Sequence, residues 1–439
     1  MENTRSIKER KNRKFGMILA ALPLLPLFLL RLAASQAVSI QAAGNRTTYT
    51  ITDLGTLGGT FSYPSFISRS GAVSGLSTLP GDAVLRSFLR AGNGMIDLGA
   101  LPGGPDSFAE NVNEKLQVTG SADGAPTPGD GNSLCFGAQD GSQAQDGLVS
   151  RAYLWQDGVM SDLGTLGGQS SGHSWINNKS QVVGISEIDA PDPFGAPCNR
   201  MPGSQIIRGF LWQDGVMTDI GTLGGNDSAA LYINNAEQIA GASDITLTPD
   251  PSLGYVPHHA FLWKNGVFQD LGTLGGGTSI PEAMDDIGDV AGFSTLPGEQ
   301  HAHAVLWKNG TRIDLGTLPG DTDSDAEAVN PRGEVVGISS TDTTARAFIW
   351  RNGIMTDLNT LIDPNAGYQL IIAQWITDTG QIAALALVES TPELHAVVLT
   401  PTNNGIRGKS AQVPLTNNLR KFLLRGYGRS RMKFLTPSQ

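Results

Sequence analysis

The 439-residue sequence holds only two cysteines, Cys135 and Cys198, and six histidines. Two cysteines cannot supply the four ligands that a structural zinc site usually takes. The sequence also lacks an HExxH motif, a serine–histidine–aspartate motif and the lysine-bearing phosphate loop of nucleotide-binding enzymes. No familiar catalytic chemistry is therefore indicated, and the chain is predicted more readily as a non-enzyme than as an enzyme.

Basic residues are scarce in the body of the chain. Residues 38–400 contain 15 lysines and arginines against 39 aspartates and glutamates. A body with this excess of negative charge repels a phosphate backbone, which excludes nucleic acid as the expected partner.

Long apolar runs are also rare, and the chain begins with the only conspicuous one. A basic stretch precedes Met17–Leu30, and the small residues Ser35 and Ala37 follow. This order is typical of a secretory signal peptide, so residues 1–37 are predicted as a signal peptide and the protein as secreted or on the cell surface. The run is short for a membrane span and contains Pro23 and Pro26, although an uncleaved anchor stays open as the alternative.

Glycine is abundant, with 55 residues, and the chain repeats itself. An aspartate in the pattern D-[LI]-[GN] recurs seven times, at Asp53, Asp97, Asp162, Asp219, Asp270, Asp314 and Asp357. Each full copy contains four short runs, here called A to D, that alternate in polarity or are β-branched and aromatic, as strands are. Asn-Gly or Asp-Gly pairs separate most C runs from their D runs, which strongly indicates hairpins.

Four antiparallel strands in every copy predict an all-β, seven-bladed β-propeller over residues 48–400, after a linker at 38–47. The chain starts on a D run, TYTITDLG (48–55), and ends on an unpaired C run, HAVVLT (395–400). We therefore expect the N-terminal strand to close the ring as the outer strand of the last blade, which removes an open sheet edge.

A cation donor precedes each D-run aspartate by 11 residues in six copies, which places the two side chains diagonally on one face of the C–D hairpin. His395 has no downstream D run, so its predicted partner is Asp53. Because an active site breaks repeat symmetry, we interpret the pairs as structural. They are Arg86–Asp97, Arg151–Asp162, Arg208–Asp219, His259–Asp270, His303–Asp314, Arg346–Asp357 and His395–Asp53.

The repeated unit, written HHAFLWKNGVFQDLGTLGG around His259-Ala260-Phe261, resembles the HAF-repeat family of bacterial extracellular proteins. The resemblance covers about residues 50–400 and implies secretion and a repeat architecture. It implies no particular reaction.

The B–C connections break the symmetry, because they are long at 122–150 and 187–207 and intermediate at 244–258. Loops that differ are where binding residues are expected. The candidates are Phe136, Asp140, Asp189, Phe194, Tyr255, His258 and His301. Cys135 and Cys198 lie in the two longest loops on adjacent blades, which predicts one disulfide in an oxidising compartment; free thiols or a metal site stay open.

The D–A loop at 319–330 carries Asp321, Asp323 and Asp325 in alternation, like the start of a calcium loop. Ala326 stands where such a loop has glycine, and Arg332 stands where it has glutamate. A solvated acidic turn is thus favoured over a calcium site, and no other cofactor is predicted.

The tail at 401–439 has eight basic residues and no acidic one, and is predicted to be disordered, with docking on the acidic body or an anionic surface as alternatives. The leading functional hypothesis is a non-catalytic module whose long B–C loops bind an extracellular glycan, protein or surface polymer. The alternatives are a hydrolase or lyase with its site at the mouth of the central channel, and a purely structural surface protein.

Overall fold

The predicted hairpin turns form because their sequences supply residues that tolerate positive φ. In the C–D turns, Asp157 has φ 52° and Gly158 has φ 86°, and Asn265 and Gly266 have φ 51° and 83°. These are the backbone angles that match a two-residue turn to the twist of its flanking strands. Each such pair therefore folds the chain back on itself within its own repeat.

The computed structural model describes residues 47–124, 149–194, 205–391, 393–402, 408–410 and 412–416, and shows seven four-stranded antiparallel blades. Blade 1 consists of β2 (Ser62–Ile67), β3 (Val73–Thr78), β4 (Leu85–Arg90) and β5 (Met95–Asp97). Blade 2 consists of β6 (Gly103–Val112), β7 (Val118–Gly124), β8 (Val149–Gln156) and β9 (Val159–Asp162). Blade 3 consists of β10 (Ser171–Ile176), β11 (Val182–Pro191), β12 (Gln205–Gln213) and β13 (Val216–Asp219).

Blades 4 to 6 follow the same order, and blade 7 takes its outer strand from the start of the chain. Blade 4 has β14 (Ser228–Ile233), β15 (Ile239–Asp244), β16 (His258–Lys264) and β17 (Val267–Asp270), and blade 5 has β18 (Ser279–Met284), β19 (Val290–Thr295), β20 (Ala302–Lys308) and β21 (Thr311–Gly316). Blade 6 has β22 (Asp323–Val329), β23 (Val335–Ser340), β24 (Thr344–Arg351) and β25 (Ile354–Asp357). Blade 7 has β26 (Tyr368–Ile376), β27 (Ile382–Val388), β28 (Leu394–Thr402) and β1 (Thr48–Asp53).

The described residues contain one short 3-10 helix, η1 (Leu358–Leu361), and within them no helix has the length and apolar character needed to cross a bilayer.

Ring closure by the N-terminal strand is confirmed. Strand β1 pairs antiparallel with β28 over its whole length, from Thr48 opposite Thr402 to Asp53 opposite Val397. On the other side of blade 7, the Ala396 N–H donates to Ser62 Oγ of blade 1 at 2.9 Å. The first and last strands of the propeller therefore lie side by side in one sheet.

The core lies within and between the blades, and a glycine on strand B makes room for an aromatic ring on strand C. A Cβ at Gly184 would lie 2.6 Å from the ring of Phe210, and one at Gly241 would lie 2.6 Å from the ring of Phe261. Both rings are fully buried. Because the ring fills the space over the glycine, a larger residue there would displace it.

The structured part of the chain extends past residue 400, where the sequence analysis placed the start of a disordered tail. Strand β28 continues to Thr402, and β29 (Val413–Pro414) pairs with the start of β24. Val413 and Leu415 are buried in an apolar cluster that includes Ile371 and Ile372 of blade 7. The apolar residues at 413 and 415 thus anchor a C-terminal segment, here residues 412–416, to the propeller.

We predict that Leu415→Ala weakens the docking of the C-terminal segment by about 2–3 kcal/mol, because it removes a buried leucine side chain. Limited proteolysis should then cut the variant near residue 415 at least tenfold faster than it cuts the unmodified chain. Pro414→Ala is the matched control, since the neighbouring Pro414 is exposed. Equal cleavage rates for the two variants would contradict this anchoring role.

Candidate functional site

The structure brings most of the predicted cation–aspartate pairs together. His395 Nδ1 lies 2.7 Å from Asp53 Oδ2, and the nearest nitrogen–oxygen distances in the other pairs range from 2.9 to 4.0 Å. These pairs are His259–Asp270 and His303–Asp314 at 2.9 Å, Arg151–Asp162 at 3.4 Å, Arg346–Asp357 at 3.6 Å and Arg86–Asp97 at 4.0 Å. Among the described residues Arg208 forms no ion pair with Asp219.

The repeated aspartate also caps the turn that follows it. Asp53 Oδ1 accepts the Gly55 N–H at 2.8 Å, and Asp219 Oδ1 accepts the Gly221 N–H at 2.7 Å. The other five aspartates accept from the residue two positions further on in the same way. A contact made in every blade serves the architecture, because one reaction needs one acid and one base rather than seven.

On the face that carries the B–C loops, Tyr255 and His258 support the fold rather than offering a free surface. Tyr255 is only 9% exposed, and its hydroxyl donates to Glu299 Oε2 of blade 5 at 2.6 Å. His258 is 7% exposed and begins strand β16. Their burial arises because the 244–258 loop folds down onto the neighbouring blade.

The other loop candidates have three different outcomes. Asp189 and Phe194 are exposed on the described part of the 187–207 loop. His301 is half exposed, with Nδ1 3.3 Å from Asp323. The remaining candidates lie outside the described residues: Phe136, Asp140, Cys135 and Cys198.

The three alternating aspartates of the 319–330 loop do not form a solvated acidic turn. Asp321 is buried, and its Oδ2 lies 3.0 Å from Nε of Arg346. Asp323 and Asp325 lie within strand β22, and Asp323 Oδ1 accepts the Ala302 N–H at 2.9 Å. Within the described ranges no group of three or more histidine, cysteine, aspartate or glutamate residues is arranged to hold a metal ion.

Two buried carboxyl groups lie side by side between blades 3 and 4. Asp244 Oδ2 accepts the Asp227 N–H at 3.3 Å, and the Asp227 carboxylate accepts the Ile207 N–H at 2.8 Å. Burial raises the pKa of Asp227 to about 8 and that of Asp244 to about 7, and the nearby charge of Arg208 partly opposes both shifts. The charge of Arg208 therefore only partly offsets the cost of burying these two carboxyl groups.

The feature with the clearest binding character is the mouth of the central channel on the A–B turn face, here called the channel mouth. Side chains at the start of the A–B turns surround it, and four of them link one blade to the next. Asn177 Nδ2 donates to the carbonyl of Asn234 at 3.2 Å, and Asn234 Nδ2 donates to the carbonyl of Asp285 at 3.0 Å. Asn113 and Asn330 donate equivalently to Asn177 and Thr377.

Aromatic side chains from distant parts of the chain form the floor of the channel mouth. Phe66 of blade 1, Trp175 of blade 3 and Trp375 of blade 7 contact one another across the channel, with ring centroids 4.5 to 5.4 Å apart. The corresponding positions of blades 2 and 5 hold Asn111 and Ala283. The floor therefore breaks the sevenfold repeat, because some blades contribute an aromatic ring and others a small or polar residue.

Charged side chains form the rim. Arg69 of blade 1 reaches Asp286 of blade 5 and Asp378 of blade 7, each at 2.9 Å, and its N–H donates to Glu114 Oε1 at 2.8 Å. Asn235 Nδ2 donates to both oxygens of Asp286 at 3.0 Å. The rim thus carries three carboxylates around a single guanidinium group, which leaves it net negative.

Two buried acceptor atoms among the lining residues have no hydrogen-bond partner: Asn111 Oδ1 and Asp285 Oδ2. Both residues are more than nine-tenths buried. Burial raises the pKa of Asp285 to about 6, and the charge of Asp289 adds to the rise. A buried acceptor without a donor costs free energy, so these atoms mark where a bound molecule would bring a donor.

The cavity at the channel mouth has a volume of about 110 Å³. This is small compared with the roughly 300–1,000 Å³ of pockets that enclose whole small molecules. The channel mouth can therefore hold a terminal group of a larger molecule rather than enclose the whole of it.

Sequence reasoning placed only the alternative enzyme site at the channel mouth and identified none of the residues that line it, although their pattern was visible in the sequence. Trp175 and Trp375 belong to the A runs WIN and WIT, and Asp285 stands in DDIG where another copy has NNKS. The available signal was that aromatic residues occupy this position in only some blades. Such a break in the repeat on the inner strand is as good an indication of a functional site at the channel as an unusually long loop is of a site on the loop face.

No protein-family model matches the sequence, and no curated protein matches it. Solved structures match by fold. The β-propeller domain of the Trilobed protease from Pyrococcus furiosus has a TM-score of 0.44 at 9% identity, over 81% of this chain and 96% of that chain. The polysaccharide lyase Uly1 has a TM-score of 0.44 at 7% identity, over 82% and 93%.

The acylaminoacyl peptidase of Pyrococcus horikoshii has a TM-score of 0.43 at 11% identity, and the match covers 81% of this chain but only 52% of the peptidase. This chain therefore spans about half the length of that enzyme. Likeness at this level does not extend to function.

Proposed function

We propose that this chain is a secreted, non-catalytic binding propeller of the HAF type, and that its channel mouth holds an end group of an extracellular glycan, protein or surface polymer. The observation that carries the proposal is the combination of an aromatic floor with two buried, unpartnered acceptors, Asn111 Oδ1 and Asp285 Oδ2. Aromatic faces supply apolar contact area, and a few placed polar atoms supply orientation, as in most small-ligand sites.

The described B–C loop residues support a binding role less strongly. Tyr255 and His258 are buried in contacts with their own blade and the next one, which leaves Asp189 and Phe194 as the exposed candidates. An exposed phenylalanine beside an exposed aspartate is common on protein surfaces.

A hydrolase or lyase with its site at the channel mouth is the second candidate. The specific observation in its favour is Asp285, a buried carboxyl group whose pKa is raised to about 6, as in many general acids. A second catalytic carboxylate would be needed, but Asp286 and Asp378 both pair with Arg69. Binding without reaction is therefore the function that this geometry favours.

The test is a binding screen of the purified, full-length chain against glycans and cell-wall polymers, followed by matched variants on opposite faces. We expect Asp378→Asn, at the channel mouth, to weaken the strongest hit by about tenfold, because it removes a rim carboxylate. Asp189→Asn, the same substitution on the B–C face, should leave the affinity unchanged.

Loss of binding in Asp189→Asn alone would place the ligand on the B–C loops and contradict the proposed site. Mass spectrometry of the bound hit supplies the second readout. An unchanged ligand supports a binding module, whereas a cleaved ligand would establish the hydrolase or lyase in its place.

A further inference from the structure

The two unpartnered polar atoms among the residues that line the channel mouth are of one kind, and this restricts the chemistry of the ligand. Asn111 Oδ1 and Asp285 Oδ2 are both acceptors, and both lack a donor. A ligand that satisfies them must carry N–H or O–H groups. A carboxylate or phosphate group has acceptors only, so it would leave both atoms unsatisfied and would also face a rim of carboxylates.

Two further features favour a positively charged donor over a neutral one. Phe66, Trp175 and Trp375 present aromatic rings, whose faces attract cations. The rim carboxylates of Glu114, Asp286 and Asp378 outnumber the one guanidinium group of Arg69, so the rim keeps a net negative charge. Asp286 and Asp378 already bind one cation, the guanidinium group of Arg69, and the Arg69 side chain is half exposed.

We propose that the channel mouth recognises a small organic ammonium group, held between the aromatic floor and the acceptor oxygens of Asn111 and Asp285. This inference rests on the proposed function and names its ligand class. Two sources on an extracellular polymer carry this chemistry: the free amine of an amino sugar and the side chain of a lysine.

The Asp285 carboxyl group has a second role that follows from its place in the ring of turns. At this position Asn113, Asn177, Asn234 and Asn330 each use an amide nitrogen to donate to the next blade. Asp285 has an oxygen instead, so it places a buried, unpartnered acceptor where these four blades have a donor. An acceptor at this point is what a ligand ammonium group requires.

The charge of Asp285 depends on pH, and several charged groups surround it. Asp286 and Asp289 lie on the same turn, with Asp289 bonded to Lys308 of the adjacent strand. Across the channel mouth stand Arg69, Glu114 and Asp378, and the neighbouring turn of blade 6 holds the Arg332–Glu334 pair. None of the residues that line the channel mouth is a histidine.

The test measures binding of four compounds to the full-length chain by tryptophan fluorescence and calorimetry, because Trp175 and Trp375 line the channel mouth. Glucosamine is compared with glucose, and Nα-acetyl-lysine methylamide with its Nε-acetylated form, so that each pair differs in the ammonium group. At pH 7.5 at least one amine should bind about tenfold or more tightly than its neutral counterpart.

The affinity of that amine should fall about fivefold to tenfold between pH 7.5 and pH 5, as Asp285 takes up a proton. Asp285→Asn should bind the amine at least about tenfold more weakly, with no such pH dependence. Trp263→Phe is the control for the optical signal, because Trp263 belongs to strand β16 of blade 4 and is not among the residues that line the channel mouth; it should bind like the unmodified chain.

Each outcome decides between the two proposals. A preference for glucosamine alone, or for the lysine derivative alone, identifies the source of the ammonium group. If glucose binds as tightly as glucosamine and Asp378→Asn weakens both, the channel mouth is a binding site but the ammonium inference is wrong. If a glycan or polymer from the binding screen binds, and neither Asp285→Asn nor Asp378→Asn changes its affinity, the proposed site itself is wrong.

Discussion

Replacing Asp285 by asparagine should raise the free energy of unfolding at pH 7.5 by about 1–3 kcal/mol. In the unmodified chain Asp285 Oδ2 is buried without a partner, whereas the amide nitrogens of Asn113, Asn177 and Asn234 donate to the carbonyl of the next blade. For residue 285 of blade 5, the matching backbone carbonyl group on the next blade is that of Asn330. An asparagine at 285 would supply the missing donor and remove a buried charge.

The pH dependence of this gain has a definite sign. The pKa of Asp285 is raised from 3.8 to about 6, so its carboxyl group is neutral in both the folded and unfolded states below pH 3.8. Between pH 3.8 and about 6 the unfolded state loses this proton while the folded state keeps it, so stability falls as the pH rises across this window. Above about 6 the folded state carries a buried carboxylate, and the loss of stability is complete. The advantage of Asp285→Asn should therefore be full at pH 7.5 and close to zero at pH 4.

Chemical denaturation at the two pH values measures this difference. Asn234→Asp in the neighbouring blade is the reciprocal control, because Asn234 Nδ2 now donates to the Asp285 carbonyl at 3.0 Å. It should destabilise the protein at pH 7.5 and much less at pH 4. A stability gain in Asp285→Asn that was the same at both pH values would refute the role assigned to the carboxyl group.

Replacing Asp53 by alanine should cost about 2–3 kcal/mol more stability than replacing Asp219. Both aspartates accept the N–H of the glycine two positions further on. Asp53 Oδ2 also lies 2.7 Å from His395 Nδ1 and accepts the Tyr368 hydroxyl at 3.0 Å. These two contacts join the N-terminal strand to residues more than 300 positions away, so their loss loosens the closure of the ring.

The pair of Asp53 and His395 also predicts how the difference varies with pH. Burial alone would raise the pKa of Asp53, but hydrogen bonds from His395 and Gly55 lower it below its ordinary 3.8. The hydrogen bond to Asp53 raises the pKa of His395 above 6.5. The aspartate's contribution is lost as the pH falls through its lowered pKa, and the histidine's is lost as the pH rises through its raised pKa. The pair therefore stabilises most between pH 3.8 and 6.5.

Thermal melting of the two variants at pH 6 measures the effect, with the pH 9 values for comparison. The melting temperature of Asp53→Ala should lie below that of Asp219→Ala, and the gap should narrow at pH 9. Equal melting shifts at pH 6 would mean that the closing strand is held by its backbone hydrogen bonds alone.

Much of the fold could be predicted because its determinants are local and repeated. The Asn-Gly and Asp-Gly turns set each C–D hairpin, and the unpaired runs at 48–55 and 395–400 indicated the closing strand. The docking of residues 413–416 could not be predicted in this way. Val413 and Leu415 are two apolar residues in a polar, basic stretch, and their burial depends on an apolar cluster beside blade 7.

The candidate site was less accessible because its residues are brought together by the ring and not by the repeat. Trp175 and Trp375 are 200 positions apart in the sequence, and their ring centroids lie 5.2 Å apart. Conversely, the position of Tyr255 in a loop indicated a ligand-binding residue, but its hydroxyl group donates to Glu299 in the following blade. Composition and spacing do not show which blade a loop will fold onto.

The closing strand also sets the order in which the molecule can be completed as it leaves the ribosome. The side chain of Thr48 bonds to Thr402, which lies 354 positions further along the chain. At roughly 5–20 residues per second, strand β1 waits about 20–70 s before its partner β28 has been made. Throughout that interval blades 1 to 6 can each form from contiguous sequence, whereas β1 has no strand of its own blade to join. The final blade therefore closes only after synthesis has reached Thr402, and a chain that ends before β28 is left with strand β1 unpaired.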